Sequence, residues 1–317
     1  MCRDQTRAAG GQAGGADPTC RPAWRGVRGR GGGTFGRPDD TGAAETQGAG
    51  GACRGGGTAA PGRIGPDLCD DAAMCGRMTQ QTSPEEVARI FDAEVREHES
   101  EPFAPSWNVA PTDPLTVVLQ RDEGRMVERV RWGLIPAWAA KPSDGARLIN
   151  ARAESVASSP AFRVAFRARR CIVPSDGFYE WQRAGARRQP YFLGTPPDDL
   201  GGVLAMAGLW SVWKDPATGS WVPSAAVITT RASGQVAPIH DRMPVLLPRD
   251  VWAGWLDPAE KDGDWLHSLL VPAPDDVLAI HAVSTRVNNV RNDDPELVEP
   301  LEPTQATDSP AQATLFG

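Results

Sequence analysis

The chain divides at residue 74 into two parts of very different composition. Residues 1–73 hold 19 of the 34 glycines and no lysine, in runs such as Gly31-Gly32-Gly33 and Gly55-Gly56-Gly57. Such a segment lacks the apolar surface that would offset the loss of chain entropy on folding. It also lacks the continuous apolar stretch of a signal peptide. We therefore expect a disordered leader, which is either genuine or the product of a start site assigned too far upstream.

The remaining residues suffice for one compact domain. Residues 74–301 are long enough to bury a sizeable core, and the polar segment 302–317 is predicted to be a disordered tail. The leader has nine arginines and eight acidic residues, so the formal net charge of −7 leaves −8 on the rest. A polyanionic partner would therefore have to meet a local cluster of arginines rather than a generally basic surface.

Short strands outnumber helices in the sequence that follows. Ser83-Pro84-Glu85-Glu86 is a capping box with proline at the first helical position, and apolar residues from Val87 to Val95 then share one face. Shorter helices are expected from Ser159 and over 248–256. Strands are expected at 115–120, 126–134, 170–174, 178–181, 191–193, 204–210, 225–230 and 279–284. Without regular alternation of strands and helices, this order favours an antiparallel α+β domain.

The cysteines point to neither disulfides nor zinc. They stand at positions 2, 20, 53, 69, 75 and 171, and no two of them form a Cys-x-x-Cys pair. A reducing cytoplasm is the expected location, and no stretch is long and apolar enough for a membrane span. We predict neither a metal nor a cofactor.

The dipeptide Met74-Cys75 carries the most reactive groups of the chain. If the chain begins at Met74 and that residue is removed, Cys75 presents a thiol and a free α-amine on adjacent carbons. This pair condenses with an aldehyde to an imine, and thiolate closure then gives a five-membered thiazolidine. Such amines ordinarily titrate at about 7.7–8.0 and thiols at about 8.5, so both nucleophiles are partly available near neutral pH. An internal cysteine would instead be an ordinary small buried residue.

Four further segments concentrate polar or aromatic side chains: 132–136 (Trp-Gly-Leu-Ile-Pro), 150–154 (Asn-Ala-Arg-Ala-Glu), 176–181 (Asp-Gly-Phe-Tyr-Glu-Trp) and 239–244 (Ile-His-Asp-Arg-Met-Pro). Each has an ordinary explanation when taken alone. Asn150 could cap a turn, Glu180 could pair with an arginine, and a loop neighbour could satisfy His240.

Together these segments resemble the SOS-response-associated peptidase family, the SRAP domain, which includes abasic-site processing proteins. The family pattern Met-Cys-Gly-Arg, Trp-Gly-Leu-Ile-Pro, Asn-Ala-Arg-Ala-Glu, Gly-Phe-Tyr-Glu-Trp and His-Asp-Arg-Met-Pro occurs here in that order between Met74 and Pro244. Each motif alone is weakly specific, whereas five motifs in the order of the family pattern are strongly specific. The resemblance covers residues 74 to about 300. One departure is that the family has this cysteine at position two, and the leader accounts for the difference.

The resemblance implies a single domain on a twisted, largely antiparallel, barrel-like sheet with short flanking helices. It also implies a peptidase that removes its own Met74, and covalent capture of abasic sites in single-stranded DNA with lyase-like activity. These reactions belong to the DNA-damage (SOS) response in the cytoplasm, near the nucleoid. An opened abasic deoxyribose is an aldehyde, which is the electrophile that the Cys75 aminothiol is suited to trap.

Carried over by position, the resemblance implies four catalytic residues. Cys75 is the crosslinking nucleophile, and Asn150 holds its α-amine or the sugar hydroxyls. Glu180 exchanges protons with the amine during methionine removal and imine formation. His240, a residue type that titrates near neutral pH, passes a proton to the ring oxygen or to the leaving 3′ side of the sugar.

Affinity for DNA is assigned to arginines and tryptophans near the motifs. Guanidinium groups match phosphate oxygens bidentately, and each indole that stacks on a flanking base contributes about 1–3 kcal/mol. The arginine candidates are Arg77, Arg152, Arg163, Arg170 and Arg242. The tryptophan candidates are Trp132, Trp138 and Trp181, for which core packing is the alternative. Single-stranded DNA is favoured because no base pair has to be opened.

Two other functions remain open from the sequence. The same aminothiol could serve an N-terminal-nucleophile amidohydrolase, which would turn over a soluble amide and leave no DNA adduct. Alternatively, Cys75 is structural and the protein is a non-catalytic single-strand binder that is indifferent to abasic lesions.

The tail carries a separate short motif. Gln312-Ala313-Thr314-Leu315-Phe316 resembles the Gln-x-x-Leu-Phe pentad with which bacterial repair and replication proteins dock on the sliding clamp. Gln312 would bind clamp backbone groups, while Leu315 and Phe316 would fill an apolar pocket. A polar tail that merely ends in two apolar residues is the alternative.

Overall fold

The computed structural model describes residues 76–96, 103–184, 187–196, 202–232 and 234–301. The leader, Met74, Cys75 and the clamp-like tail motif lie outside the described residues. The strands are β1 (Met78–Gln80), β2 (Glu94–Val95), β3 (Ser106–Val109), β4 (Pro114–Arg121), β5 (Gly124–Trp132), β6 (Asn150–Arg152), β7 (Arg170–Ser175), β8 (Gly177–Ala184), β9 (Arg187–Gly194), β10 (Leu204–Lys214), β11 (Trp221–Arg231), β12 (Arg242–Pro244) and β13 (Ala279–Ala282). The α-helices are α1 (Pro84–Phe91), α2 (Arg163–Ala168), α3 (Trp252–Leu256) and α4 (Gly263–Ser268). Short 3-10 helices span Pro142–Arg147, Arg249–Val251, Asp275–Val277, Thr285–Asn288 and Pro295–Val298.

Five strands close into a barrel. β5, β4, β7, β10 and β11 follow one another as antiparallel neighbours. The ring closes where β11 meets β5 as a parallel neighbour, with Ser224 opposite Arg131 and Ala225 opposite Trp132. Closure pairs the strand edges that an open sheet would expose. The predicted α+β fold with a barrel-like sheet is thus confirmed, although the parallel closing pair was not foreseen.

A second sheet packs against the barrel and shares its core. Its strand order is β13-β9-β8-β1-β3, and all of its pairings are antiparallel. Met78, Phe178 and Leu193 from this sheet belong to the same buried cluster as Leu115 and Val117 of β4. Side chains alternate between the two faces of a strand. The face of β8 that carries Phe178 is therefore the one turned toward the barrel.

Helix α1 begins where the sequence predicts but ends early. The Ser83 hydroxyl accepts the backbone N–H of Glu86 at 3.3 Å, as expected for the cap. The helix stops at Phe91 because Asp92 adopts a left-handed conformation with φ of 52°. Val95, predicted to lie on the helix, is in β2 instead. None of the described helices is long and apolar enough to cross a membrane.

The remaining differences concern short elements. The helix expected from Ser159 begins only at Arg163, and the one expected over 248–256 is a 3-10 turn followed by α3. The β4–β5 hairpin is confirmed, with Arg121 opposite Gly124 at its turn. β1, β6 and β12 were not predicted, because a strand of three residues carries no readable alternation.

The Trp-Gly-Leu-Ile-Pro motif ends β5 at the point where the barrel closes. Gly133 has a φ of 115°, and its N–H donates to the carbonyl oxygen of Ala225 at 2.8 Å. A Cβ atom at this position would lie 2.6 Å from the carbonyl oxygen of Gly145. Only glycine satisfies both conditions, so this residue is required by the backbone rather than by chemistry.

Candidate functional site

The residue that follows Cys75 in the sequence, Gly76, lies beside Glu180 in the sheet. β1 runs antiparallel to β8, with Met78 opposite Phe178. The N–H of Tyr179 donates to the carbonyl oxygen of Arg77 at 3.0 Å, which extends this register one residue toward the amino terminus. Continuing it places Gly76 opposite Glu180. Gly76 follows Cys75 by one peptide bond, so the aminothiol residue immediately precedes this point in the chain.

Glu180 is a buried carboxylate in the middle of β8. Its exposed fraction is 2%, and it pairs with Tyr191 of β9 in the sheet register. By alternation it shares the barrel-facing side of β8 with Phe178. Tyr179 faces the other way, where its hydroxyl donates to the carbonyl oxygen of Trp107 at 2.7 Å and burial raises its pKa. Glu180 is therefore turned toward the place where the second sheet meets the barrel.

Asn150 lies on the barrel side of this junction. β6 runs parallel to β11, with Asn150 opposite Val227, and the carbonyl oxygen of Ile149 accepts the N–H of Val227 at 2.9 Å. The Oδ1 atom of Asn150 is buried. Ile149 belongs to the same core cluster as Phe178. The sequence motif containing Asn150 is thus fixed to the barrel next to the core that β8 covers.

His240 is held in one tautomer by its own loop. The backbone N–H of Arg242 donates to its Nδ1 at 3.1 Å, so the neutral ring carries its proton on Nε2. The Oδ1 of Asp241 also lies 3.2 Å from Nδ1, a contact that is attractive only when the ring is protonated. Since a carboxylate cannot donate to an unprotonated Nδ1, the amide contact is the one that fixes the neutral ring.

The His240 loop is joined to β8. Gln182 donates from Nε2 to the carbonyl oxygen of Pro238 at 3.1 Å. Gln182 follows Glu180 by two residues and therefore lies on the same face of the strand. Val236 and Met243, on either side of His240 in the sequence, both pack in the cluster that includes Phe178. Segments 236–243 and 178–182 thus meet, so the loop that carries His240 lies beside the strand that carries Glu180.

Two predicted DNA contacts are contradicted by burial. Arg170 is 2% exposed and donates to the carbonyl oxygens of Trp255 at 2.7 Å and Phe166 at 2.8 Å, while desolvation lowers its pKa. Trp132 is completely buried, and its indole N–H donates to the carbonyl oxygen of Ile149 at 3.1 Å. Neither side chain can reach a nucleic acid. Both serve the fold, and core packing is the correct alternative for Trp132.

Two other arginines are bound by protein groups. Arg242 is buried, and its Nη atoms donate to the two carboxylate oxygens of Glu154 at 2.6 and 2.9 Å, which lowers the pKa of Glu154. Arg77 is also buried and donates to Asn108 Oδ1 at 2.8 Å and to the carbonyl oxygen of Val287 at 2.7 Å. A phosphate contact from either residue would have to compete with these bonds.

The remaining predicted contacts are accessible. Arg152 follows Asn150 in β6 and is exposed, as is Arg163 at the start of α2. Trp181 is half-buried, and Trp138 is 69% exposed. These four side chains stay candidates for phosphate contacts and base stacking.

Sequence reasoning missed an asparagine network around Arg77. Asn108 is 3% exposed, and its Nδ2 donates to the carbonyl oxygens of Val287 at 3.3 Å, Asn289 at 3.2 Å and Asn292 at 2.7 Å. The spacing Asn288-Asn289-x-x-Asn292 is a turn signal that could have marked this segment. Nothing in the sequence shows that it contacts β1 and β8.

Comparison with known proteins gives consistent matches. Residues 74–290 match the family described as SOS response associated peptidase (SRAP). The chain is 36% identical over 227 residues to abasic site processing protein YoqW of Bacillus subtilis (strain 168), covering 71% of this chain and 99% of YoqW. It is 32% identical over 269 residues to abasic site processing protein HMCES of Xenopus tropicalis, covering 73% of this chain and 80% of HMCES.

The fold agrees with these matches. A crystal structure of a protein from Bacteroides thetaiotaomicron superposes with a TM-score of 0.64 at 25% sequence identity, covering 72% of this chain and 100% of that one. The SRAP family match spans more than half of the chain and includes all five of its motifs. The chain therefore belongs to the SOS response associated peptidase family.

Proposed function

We propose that this protein captures abasic sites in single-stranded DNA as a thiazolidine crosslink through Cys75, after removal of Met74. One observation supports the proposal: the register of β1 and β8 places Gly76, the residue that follows Cys75, opposite the buried carboxylate of Glu180. The family match begins at Met74, and the relatives YoqW and HMCES are named abasic site processing proteins.

The proposed reaction releases one water molecule. The unprotonated α-amine adds to the aldehyde carbon of the opened sugar, and loss of water from the resulting carbinolamine gives an imine. The thiolate then attacks the imine carbon, and the nitrogen takes up a proton as the ring closes. In this scheme Glu180 removes the amine proton, while His240 supplies a proton from Nε2 to the departing oxygen. Asn150 orients the amine or the sugar by hydrogen bonds.

Methionine removal requires the same groups in a hydrolysis. One water molecule adds to the Met74 carbonyl carbon, and the peptide bond to Cys75 breaks as the new α-amine accepts a proton. Glu180 is the proposed base for the water. The proposed lyase-like step is an elimination from the imine: a base removes a proton from C2′, the bond between C3′ and its phosphate oxygen breaks as the C2′–C3′ double bond forms, and His240 protonates the departing phosphate oxygen. We place these reactions in the reducing cytoplasm, at damaged DNA.

The test uses protein that begins at Cys75 and single-stranded DNA with one abasic site. Denaturing electrophoresis should show a heat-stable adduct. DNA with a tetrahydrofuran analogue at the same position has no aldehyde and should give none. An amidohydrolase would give no adduct with either DNA. A non-catalytic binder would retain both equally in a native gel and release both on denaturation.

Salt dependence should identify the phosphate contacts. Removing one exposed cation that contacts a phosphate lowers the slope of log affinity against log salt by roughly 0.7 on single strands. We expect this for Arg152→Ala and Arg163→Ala, measured by fluorescence polarisation from about 50 to 200 mM salt. Arg286→Ala is the control, because Asp294 and Glu296 already neutralise that guanidinium. Equal slopes for all three variants would remove Arg152 and Arg163 from the DNA interface.

The tail motif provides a separate proposal, docking on the sliding clamp. A short peptide that inserts Leu315 and Phe316 into an apolar pocket would tether the domain near exposed single strands and raise its local concentration there. We expect a labelled peptide of residues 310–317 to bind the clamp of the same organism by fluorescence polarisation. A peptide with both Leu315→Ala and Phe316→Ala should not bind. Absence of binding at hundreds of micromolar would reject this partner.

A further inference from the structure

The loop that carries His240 forms a turn closed by its own hydrogen bonds. The carbonyl oxygen of Val236 accepts the N–H of Ile239 at 2.9 Å and that of His240 at 3.0 Å. Val236 is 3% exposed and packs in the core cluster that includes Phe178, whereas Pro238 in the middle of the turn is exposed. Pro238 precedes the imidazole by two residues. A contact to its carbonyl oxygen therefore acts on the turn that places the ring.

On its carboxyl-terminal side this turn is fastened to the barrel. Arg242 donates to both carboxylate oxygens of Glu154 and to the carbonyl oxygen of Thr229 at 2.7 Å. Thr229 lies on β11, and Glu154 follows β6, the strand that begins with Asn150. These bonds relate His240 to the side of the junction that carries Asn150. The connection to β8 lies on the other side of the turn.

Gln182 of β8 makes that connection. Its Nε2 donates to the carbonyl oxygen of Pro238 at 3.1 Å, while its Oε1 accepts the hydroxyl of Tyr191 at 3.2 Å. Tyr191 pairs with Glu180 in the register of β8 and β9, and it packs against the barrel-facing cluster. Gln182 and Glu180 are two residues apart and share this face of β8. One amide thus links the turn of His240 to the strand and the face that carry Glu180.

We infer that Gln182 is a positioning residue, which sets where the His240 turn lies relative to Glu180. A glutamine side chain has three rotatable bonds, so contacts at both ends of its amide are needed to hold one orientation. The hydroxyl of Tyr191 binds the amide oxygen, which leaves the nitrogen directed at the carbonyl oxygen of Pro238. The inference rests on the proposed function, in which His240 and Glu180 act on the same carbinolamine.

The surroundings of Gln182 favour a role in geometry over a role in stability. Its side chain is half-buried, and Pro238 is exposed. If the bond between them is lost, water can take the place of either partner, so the melting temperature should change little. What the bond determines is the place of the turn over β8.

The experiment measures the rate of adduct formation at saturating abasic DNA, together with affinity for undamaged single strands. Gln182→Met keeps the length of the side chain and removes both hydrogen bonds. It should slow the rate about three- to tenfold, the size of one net hydrogen bond, and change the affinity less than about twofold. Gln189→Met should keep the wild-type rate, and it is the matched control because Gln189 lies opposite Gln182 in the sheet. The amide of Gln189 donates instead to the carbonyl oxygens of Pro190 and Val283.

A double-mutant cycle separates positioning from general damage to the fold. In a His240→Ala background there is no imidazole to place, so Gln182→Met should slow the rate little further. The imidazole resonance of His240, assigned by comparison with His240→Ala, should shift in Gln182→Met and stay unchanged in Gln189→Met. An equally large further loss of rate in the His240→Ala background, or an unshifted resonance, would overturn the inference.

The inference and the proposed function fail in different ways. If wild-type protein forms the adduct and Gln182→Met matches its rate, the inference is wrong and the proposed function stands. If wild-type protein forms no adduct, the proposed function is rejected, and with it the role of Gln182 in capture.

Discussion

Protein that begins at Cys75 will form a heat-stable adduct with single-stranded abasic DNA, and Cys75→Ala will form none. Alanine retains a free α-amine, so it can still make a reversible imine but cannot close a thiazolidine. Borohydride should therefore trap Cys75→Ala on the DNA, while heating without borohydride should release it. The measurement is the fraction of labelled DNA that migrates with the protein in a denaturing gel.

The position of the amine provides an independent control for this prediction. Protein made from Met1 that keeps residues 1–74 has an amide nitrogen at Cys75 and should form no adduct, with or without borohydride trapping at that residue. Protein made from Met74 should become active as the methionine is lost, which mass spectrometry can follow. Equal crosslinking by the uncleaved long chain would falsify the aminothiol mechanism.

Glu180→Gln and His240→Ala should slow adduct formation by about 100-fold or more, the usual contribution of one general acid or base. Affinity for undamaged single strands should stay nearly unchanged, because neither residue is proposed to bind phosphate. Glu180→Gln preserves the shape of a side chain that is 2% exposed, so the change tests charge and proton transfer rather than packing. The rate is measured under single-turnover conditions.

Processing and capture must be separated in this test. If Glu180 also removes Met74, the variant would retain the methionine and fail for that reason alone. Cys75 should therefore be exposed by an external protease acting on a cleavable fusion. Glu299→Gln and His267→Ala, both exposed and remote in sequence, are the matched controls. A loss of affinity as large as the loss of rate would make Glu180 and His240 structural residues instead.

The long strands of the fold can be predicted from sequence because they carry a pattern. β4 alternates between the shared core, at Leu115 and Val117, and the cluster under the helices, at Val118. The strands that organise the site carry no such pattern. β1, β6 and β12 have three residues each, and their places are fixed by partners far along the chain.

Which arginines are buried could not be predicted from the sequence either. Arg152 ends β6 and Arg170 begins β7, yet Arg152 is exposed and Arg170 donates to the carbonyl oxygen of Trp255, 85 residues away. Only the packing of α3 against β7 separates them. Trp132 shows the same limit, since the motif that contains it marks barrel closure rather than a stacking surface.

Because β1 lies inside its sheet, it resists a pulling force that is applied at its amino-terminal end. A DNA strand joined to Cys75 would pull on Gly76 and then on β1, which has β8 on one side and β3 on the other. Tension along β1 would have to break backbone bonds to both neighbours, together with the bonds of Arg77 to Val287 and Asn108. A motor that ran into a lesion captured in the proposed way would therefore meet an anchor fixed from both sides, and pulling β1 out would disrupt its pairing with both β8 and β3.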